Sequence, residues 1–413
     1  MDVKIPYGSD IIDFNVNSKM IGEIILSSPY SGLSKKTISE HINEGLITSI
    51  ENFLQEDEPT LLIINDHTRP TPSGLIINRI KDLLNIEKTS VLIASGMHRP
   101  TTTSEQQYIL GDVYNLFRGK VHHNKAKTNS FIGLGWTSYG TEVLVNNILE
   151  HCSRIITIGS VEPHYFAGLT GGRKSFQPGI ASAASIINNH SFALSDMANS
   201  FALDGNPVHE DMMEFASFVT NKWKVYSIQI VLDRDGSIYS VHYGDLTGSF
   251  IESGDDARLI FTREINKKYK VAIAIARPPL DIDLYQSLKA IENIYSVIDE
   301  GGIIMLVSPC REGIGEENFY KLLTSEKPRN EILKGIEENY TFGAHKAYRL
   351  LKKMEKFQVW LYSDLDPSVV AKARIKTIYD LSKGVNEALS SIGNNAEVLV
   401  VNDATIMVPR VKL

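Results

Sequence analysis

The segment GLTGGRKSFQPG, residues 168–179, combines glycines with a lysine and a serine, as phosphate-binding loops do. A Walker A loop needs a glycine directly before its lysine and follows its strand at once, because its backbone N–H groups must wrap the phosphates. Here Arg173 precedes Lys174, and the segment begins eight positions after Ser160, the last residue of an apolar run. The sequence therefore argues against a phosphate clamp and leaves Lys174 for other amine chemistry.

Three apolar runs are followed by side chains that can bind anions or move protons. An arginine offers a planar fork to a phosphate or a carboxylate, and a histidine titrates near neutral pH. A capped turn with a solvated arginine, or a structural histidine, is the alternative interpretation at each place. The residues are Asp66, Thr68 and Arg69 after TLLIIN, His98 after SVLIASG, and Glu162, His164 and Lys174 after RIITIGS, with His190 further on.

The histidines also allow a metal-dependent hydrolase. His98, His164 and His190 could in principle ligate zinc, for which imidazole is a common ligand. However, the chain has no His-x-x-x-His or His-Glu-x-x-His pair that would place two ligands on one helix. The hydrolase hypothesis is left open without a specific motif behind it.

A later stretch, RPPLDIDLYQSLKAIEN, predicts a helix that begins after two prolines and an acidic cap. Tyr285, Gln286 and Lys289 lie on neighbouring turns of this helix, where they could hold a small carboxylate. A solvated helix face is the alternative. His345 and Lys346, near another glycine, have no role that the sequence assigns.

Strands and helices must position these side chains, and their pattern predicts an α/β fold. The strand-like runs are rich in Val, Ile and Leu with little alternation, as in parallel sheets that helices cover on both faces. In such sheets ligands bind beyond the carboxyl ends of the strands. The predicted strands are 60–65, 90–96, 154–160, 271–276, 302–308, 358–363 and 396–403, and the clearest helices are 74–84 and 284–298.

The length of 413 residues indicates more than one domain. The charged segment FTREINKKYK marks the predicted boundary between domains at 1–265 and 266–413, and the last residues are a candidate for returning to the first domain. The sequence assigns no role to Trp360. Cys152 and Cys310 have no CxxC partner and are predicted to be buried thiols.

Composition excludes some classes of protein. The formal net charge of −7 argues against a nucleic-acid binder, which is usually basic. No apolar run reaches the roughly 18 to 20 residues that span a bilayer, and the first residues lack a signal-peptide pattern, so a cytoplasmic protein without a membrane partner is expected.

Taken together, six motifs are similar to those of one known family. They are NDHTRPTP, GMHRP, EPHYFAGLTGGRKS, NNHS, LYQSLK and GAHKAYRLL, in order from about residue 60 to 350. In this set the chain resembles the nickel-pincer-nucleotide-dependent lactate racemases, the LarA-like 2-hydroxyacid racemases and epimerases. The resemblance implies a two-domain α/β enzyme with mainly parallel sheets flanked by helices and an active site in the interdomain cleft.

The resemblance also implies a cofactor, pyridinium-3-thioamide-5-thiocarboxylic acid mononucleotide carrying nickel, which separate maturation proteins supply. Lys174 would be joined to it covalently through a thioamide, and His190 would ligate the nickel. Asp66, Thr68 and Arg69 would line the cofactor loop. The glycines around Lys174 are expected to let the backbone approach a bulky planar group.

The reaction that the resemblance implies is inversion of C2 in a 2-hydroxyacid by proton-coupled hydride transfer, through a 2-oxoacid. His98 and His164 would be the two catalytic histidines, because each enantiomer needs a base for its hydroxyl proton. A non-catalytic cofactor-binding or carrier protein is a further alternative, besides the hydrolase. The substrate would be held by Arg69, Tyr285, Gln286 and Lys289.

Overall fold

A computed structural model describes residues 1–25, 45–393 and 396–412, which form two compact units. The central unit contains residues 45–260. The terminal unit contains residues 1–25 together with 261–393 and 396–412. Each unit has a six-stranded sheet with helices packed against it, so the predicted α/β class is confirmed.

The described residues form twenty strands and twelve α-helices. The strands are β1 Asp2–Tyr7, β2 Asp10–Asn15, β3 Ile21–Ile25, β4 Thr60–Asn65, β5 Thr89–Ala94, β6 Val121–His123, β7 Phe131–Trp136, β8 Glu142–Asn146, β9 Arg154–Ser160, β10 Pro163–His164, β11 Gly168–Leu169, β12 Lys224–Leu232, β13 Ile238–Gly244, β14 Thr262–Ile265, β15 Tyr269–Ile275, β16 Ile298–Val307, β17 Gln358–Tyr362, β18 Lys376–Thr377, β19 Val398–Val401 and β20 Val408–Val411. The helices are α1 Ile47–Phe53, α2 Ser73–Ile80, α3 Thr103–Leu110, α4 Ala183–Ser191, α5 Pro207–Thr220, α6 Leu246–Phe261, α7 Leu284–Ile294, α8 Glu317–Leu323, α9 Arg329–Glu338, α10 Ala344–Lys353, α11 Pro367–Lys372 and α12 Leu381–Ile392.

The sheet of the central unit has the strand order β13-β12-β9-β4-β5-β6. Strand β4 lies between β9 and β5, parallel to both, so the chain leaves these three strands at the same edge. All seven residues of β9 are buried, as expected for a strand in the middle of a covered sheet. This rigid centre positions the polar loops that follow it.

The core of the central unit packs helix α2 against the sheet. Ile76, Ile77 and Ile80 of α2 are fully buried against residues such as Ile64 and Ile93. Burying side chains of this size contributes about 1.5 to 3 kcal/mol each. The helix repeats its apolar residues at spacings of three and four, which explains why the sequence pattern revealed it.

The terminal unit has an all-parallel sheet in the order β18-β17-β16-β15-β19-β3. Its edge strand β3 comes from the start of the chain, and the β1–β2 hairpin adds Ile5 and Phe14 to the same core as Ile273. The predicted domain at 1–265 therefore needs a correction, because residues 1–25 belong with the second half of the chain, which begins at Phe261. The last strand, β20, pairs with β14 of this same unit and does not return to the first domain.

Trp360, left unplaced by the sequence, lies in β17 and is part of this core, with 4% of its surface exposed. Both cysteines are free thiols; Cys310 is buried, as predicted, whereas Cys152 is only half-buried. Burial raises the pKa of each thiol to about 12, so neither is a ready nucleophile. None of the helices in the described ranges combines the length and apolar character that crossing a bilayer requires.

Candidate active site

The polar loops after β4, β5 and β9 meet at one edge of the central sheet. His98 Nδ1, after β5, lies 2.7 Å from Asp66 Oδ2, after β4. Arg69, also after β4, forms an ion pair with Glu162, after β9. The structure thus brings together residues that the sequence could only place at the ends of separate strands.

Asp66 and His98 form a buried carboxylate–exposed imidazole pair. The Asp66 side chain is 4% exposed, whereas that of His98 is 57% exposed. The other carboxylate oxygen, Oδ1, accepts hydrogen bonds from the backbone N–H of Thr68 at 3.1 Å and from its hydroxyl at 2.6 Å. Burial alone would raise the pKa of Asp66, but the hydrogen bonds from His98 and Thr68 outweigh it and hold the pKa below its usual value. The carboxylate that the resemblance assigns to the cofactor is therefore engaged with His98.

The Arg69–Glu162 ion pair links the first and third loops. About a quarter of each side chain is exposed, so solvent screens the pair and a ligand can reach it. Glu162 shares a loop with His164, yet the sequence offered no signal that it would pair with Arg69, because the two are far apart along the chain. Any carboxylate that binds Arg69 must compete with Glu162 or share the guanidinium with it.

The ring of Phe166 gathers three of the predicted site residues. The His164 ring lies edge-on to it with centroids 4.5 Å apart, and the His190 ring lies at 5.2 Å. The Nζ atom of Lys174 is 5.9 Å from the same centroid. The sequence did not single out Phe166, although it lies within the glycine-rich motif.

Lys174 lies in a short 3-10 turn, Gly172–Ser175, where its neighbours Arg173 and Ser175 are buried and it is only partly so. Two glycines of this loop pack closely against other parts of the protein. A Cβ at Gly171 would lie 2.5 Å from Gln229 Oε1, and one at Gly172 would lie 2.9 Å from the ring of Phe250. The glycines thus let the loop pack closely against the protein itself, which holds the lysine in place.

His190 lies in the last turn of α4 and is buried. Burial, and then the nearby charge of Lys174, lowers the pKa of His190 to about 3, so the imidazole is neutral at physiological pH. The adjacent Asn189 donates a 2.7 Å hydrogen bond to the buried carboxylate of Asp211, which also accepts from two threonines. This network anchors the helix that carries His190.

In the terminal unit, Tyr285, Gln286 and Lys289 lie in the first two turns of α7 and are half-buried. The helix starts with Asp283, whose carboxylate accepts a 2.6 Å hydrogen bond from the backbone N–H of Gln286. The sequence predicted this cap and helix start correctly. The helix ends at Ile294, before the predicted 298, and continues as a 3-10 turn.

Lys346, from α10, lies against the start of α7. Its Nζ donates a hydrogen bond to the backbone carbonyl of Tyr285 and lies 3.6 Å from the centroid of the Tyr285 ring. Burial holds the pKa of Lys346 well below its usual range, and the positive charge of Lys289 lowers it further. The neighbouring His345 shares a 2.8 Å hydrogen bond with the Tyr340 hydroxyl. Lys346 therefore supports the helix that presents Tyr285.

Two family profiles match the chain. The profile described as the lactate racemase N-terminal domain matches residues 7–201, and the lactate racemase C-terminal domain matches residues 267–408. The chain belongs to the lactate racemase family. Membership makes it an enzyme of the isomerase class, the class that contains the lactate racemases.

Relatives from this family align along the full chain. A lactate racemase of Thermoanaerobacterium thermosaccharolyticum is 26% identical, with all of both chains covered. A lactate racemase of Lactiplantibacillus plantarum is 27% identical over 97% of this chain and 98% of the relative. The alignments therefore span nearly the whole of this chain and of both relatives.

Solved structures agree on the fold. The lactate racemase apoprotein of Thermoanaerobacterium thermosaccharolyticum superposes with a TM-score of 0.89 at 25% identity, over 99% of this chain and 100% of that one. A protein of Thermotoga maritima superposes with a TM-score of 0.69 at 18% identity, over 91% and 98% of the two chains. The second similarity concerns the fold alone.

The three histidines of the hydrolase hypothesis do not form a metal site in the described residues. A zinc hydrolase built on His98, His164 and His190 would need these side chains in one place. In residues 1–25, 45–393 and 396–412, no group of three or more His, Cys, Asp or Glu side chains is arranged to hold a metal ion. His98 is paired with Asp66 instead, so the hydrolase hypothesis lacks its ligand set.

Proposed function

We propose that the protein is a 2-hydroxyacid racemase or epimerase that inverts the C2 centre of its substrate. The observation that carries the proposal is the arrangement of the central unit, in which an Asp66–His98 pair lies near the Arg69–Glu162 pair and His164, Lys174 and His190 surround Phe166. Membership of the lactate racemase family supports it.

The residues around Phe166 fit the nickel-pincer nucleotide that the family resemblance implies. A neutral buried imidazole is the form of histidine that ligates metals, which suits His190 as a nickel ligand. Lys174 would be the covalent tether, since it is partly exposed between buried neighbours on a loop that the glycines pack in place. When bound, the group would supply a hydride acceptor that the protein's own side chains lack.

The proton chemistry is assigned to His98 and His164. The C–H bond of a 2-hydroxyacid beside an ionised carboxylate is barely acidic, so removing the hydroxyl proton as hydride leaves is the easier route to a planar 2-oxoacid. The Asp66 carboxylate accepts a hydrogen bond from the Nδ1–H of His98 and stabilises the imidazolium that forms when Nε2 takes up a proton. His164, beside Phe166, is the second residue assigned to the reacting hydroxyl.

Four residues would hold the substrate. Arg69 offers a charge-assisted hydrogen bond to the carboxylate once Glu162 yields part of the guanidinium. Tyr285, Gln286 and Lys289 of α7 are proposed to contact the substrate as well, and the buried Lys346 keeps their helix start in place. A cytoplasmic location and delivery of the cofactor by maturation proteins stay predictions.

The test is to produce the chain together with cofactor-maturation proteins and measure intact mass, nickel content and inversion of a panel of 2-hydroxyacids. We expect a mass increase of one modified nucleotide on the Lys174 peptide, nickel in a one-to-one ratio, and inversion of at least one acid. Loaded protein that inverts none would favour a carrier without turnover. Protein that never takes up the nucleotide or nickel, under conditions that load a known lactate racemase, would remove the cofactor assignment.

Replacing Lys174 by Ala should abolish both the mass increase and the activity, because no other amine occupies this loop. Lys334→Ala is the matched control, since Lys334 is an exposed lysine on α9 that pairs with Glu338. A Lys174→Ala variant that keeps full activity would eliminate the covalent tether.

A further inference from the structure

The two histidines assigned to proton transfer each form a hydrogen bond through Nδ1, but this atom donates in His98 and accepts in His164. His98 Nδ1 lies 2.7 Å from Asp66 Oδ2, and an ionised carboxylate can only accept, so this nitrogen must donate. His164 Nδ1 lies 3.2 Å from the backbone nitrogen of Ala167, whose N–H can only donate, so this nitrogen must accept. The ring proton therefore sits on Nδ1 in His98 and is absent from Nδ1 in His164.

These bonds determine what each ring presents at Nε2. A neutral imidazole carries one proton, so Nε2 of His98 has a lone pair and Nε2 of His164 carries a hydrogen. The first can take a proton from a hydroxyl group at once. The second donates a hydrogen bond, and His164 must release the Ala167 N–H before it can hold a proton on Nδ1.

Further hydrogen bonds fix the positions of Asp66 and Ala167, the residues that bind the two rings. Asp66 is fixed by the two hydrogen bonds from Thr68. The Ala167 carbonyl accepts a 2.6 Å hydrogen bond from Arg173, a residue that is fully buried. Within the described ranges Arg173 has no carboxylate at ion-pair distance, and its guanidinium lies 4.3 Å from the Phe250 ring centroid. Arg173 thus clamps the carbonyl of the residue whose N–H meets His164.

We infer that Asp66 and Arg173 are positioning residues that fix His98 and His164 in opposite tautomers, His98 as proton acceptor and His164 as hydrogen-bond donor. The inference rests on the proposed racemase function. When the substrate hydroxyl faces His98, the O–H bond breaks and an Nε2–H bond forms on His98, while the family's nucleotide, if bound, would supply the acceptor for the hydride that leaves C2. When the hydroxyl faces His164, the ring must first rearrange its proton.

Nitrogen NMR of the full-length chain without cofactor tests the inference. In protein labelled with ¹⁵N-histidine at mildly alkaline pH, ring-nitrogen shifts and couplings to carbon-bound protons distinguish the two tautomers. The chain has 11 histidines, so the signals are assigned by their loss in His98→Gln and His164→Gln. We expect the proton on Nδ1 in His98 and on Nε2 in His164. Equal tautomers, or the reverse pair, would overturn the inference.

Two variants sharpen the result. Asp66→Asn should move the His98 proton to Nε2, because an amide can donate to Nδ1, and should leave His164 unchanged. Glu162→Gln is the matched control in the same loops, and both tautomers should stay as in the wild type. If Asp66→Asn leaves the His98 tautomer as it was, Asp66 is not its positioning residue.

Turnover supplies an independent readout. For a racemase the overall equilibrium constant is one, so kcat/KM must be the same for both enantiomers. The opposite tautomers should therefore appear as unequal kcat values balanced by unequal KM values. A racemase with equal tautomers would defeat only this inference, whereas opposite tautomers in a chain that inverts nothing would defeat only the proposed function.

Discussion

The central and terminal units each contain a group of charged side chains around a carboxylate. The two groups differ in whether the partner of the carboxylate is exposed to solvent. In the central unit, Asp66 is buried and its partner His98 faces solvent. In the terminal unit, Glu292 pairs with Arg349 at 2.7 Å and Lys353 at 2.8 Å, and no more than 10% of any of the three side chains is exposed. A buried carboxylate can determine the tautomer of an exposed imidazole that meets a ligand. The buried ion pairs of the terminal unit instead join helices α7 and α10.

The largest expected effect follows from changing the carboxylate of the central pair. Asp66→Asn should lower kcat about 10²- to 10⁴-fold, because the amide no longer favours a proton acceptor at His98 Nε2. The thermal unfolding midpoint should change little, since the amide oxygen still accepts from Thr68. Steady-state kinetics over a range of pH values, together with calorimetry, check the prediction. A large fall in stability with unchanged kcat would show that the Asp66–His98 pair stabilises the fold and does not act in catalysis.

The corresponding change in the terminal unit should affect stability. Glu292→Gln should lower the free energy of unfolding by about 3 to 5 kcal/mol, because it leaves two buried cations without their carboxylate. The kcat of the remaining folded protein should stay close to that of the wild type. Denaturant unfolding measures the first quantity and active-site-normalised kinetics the second. Glu317→Gln is the control, since Glu317 pairs with Lys321 on an exposed helix face.

The terminal group should also give a characteristic pH dependence. Burial would raise the pKa of Glu292, but Arg349 and Lys353 outweigh it and lower the pKa to about 2. A carboxyl group whose pKa is lower in the folded than in the unfolded state stabilises the fold above the unfolded value and loses that contribution as the pH falls to the folded one. The stability difference between wild type and Glu292→Gln should shrink as the pH falls from about 4.5 to about 2. A difference that stays constant over this range would contradict the assignment.

The smallest expected effect concerns the partly exposed ion pair of Arg69 and Glu162 in the central unit. Glu162→Gln should release Arg69 for the substrate carboxylate and lower KM up to about fivefold, since an exposed ion pair contributes at most about 1 kcal/mol. Arg69→Gln should raise KM in the same assay. A rise in KM for Glu162→Gln would show that Glu162 orients Arg69 and does not compete for it.

Much of the fold was accessible from the sequence where local patterns decide it. Strands β4 and β9 begin and end at the predicted residues, because each is a short run of branched apolar side chains between turn residues. The convergence of Asp66, Arg69 and His98 also followed, since parallel neighbouring strands end at one edge. The start of helix α7 and its acidic cap were predicted from the prolines and aspartates that precede it.

Other features depend on pairing between distant parts of the chain and could not be read from local spacing. The pairing of β3 with β19 joins the two ends of the chain, and no periodicity encodes it. The ion pair of Arg69 with Glu162 is equally non-local. The close packing of Gly171 against Gln229 was not predicted, because glycine spacing shows that space is tight and not what fills it.

The pairing of β3 with β19 has a consequence for biosynthesis. The central unit is an uninterrupted stretch of chain, so it can fold as soon as it leaves the ribosome. The strand β3 is translated before the central unit, whereas its partner β19, Val398–Val401, is translated after it. The apolar side chains of Ile5 and Phe14 therefore lack core partners such as Ile273 until the segment after the central unit has been made, and apolar surface exposed for that time favours aggregation.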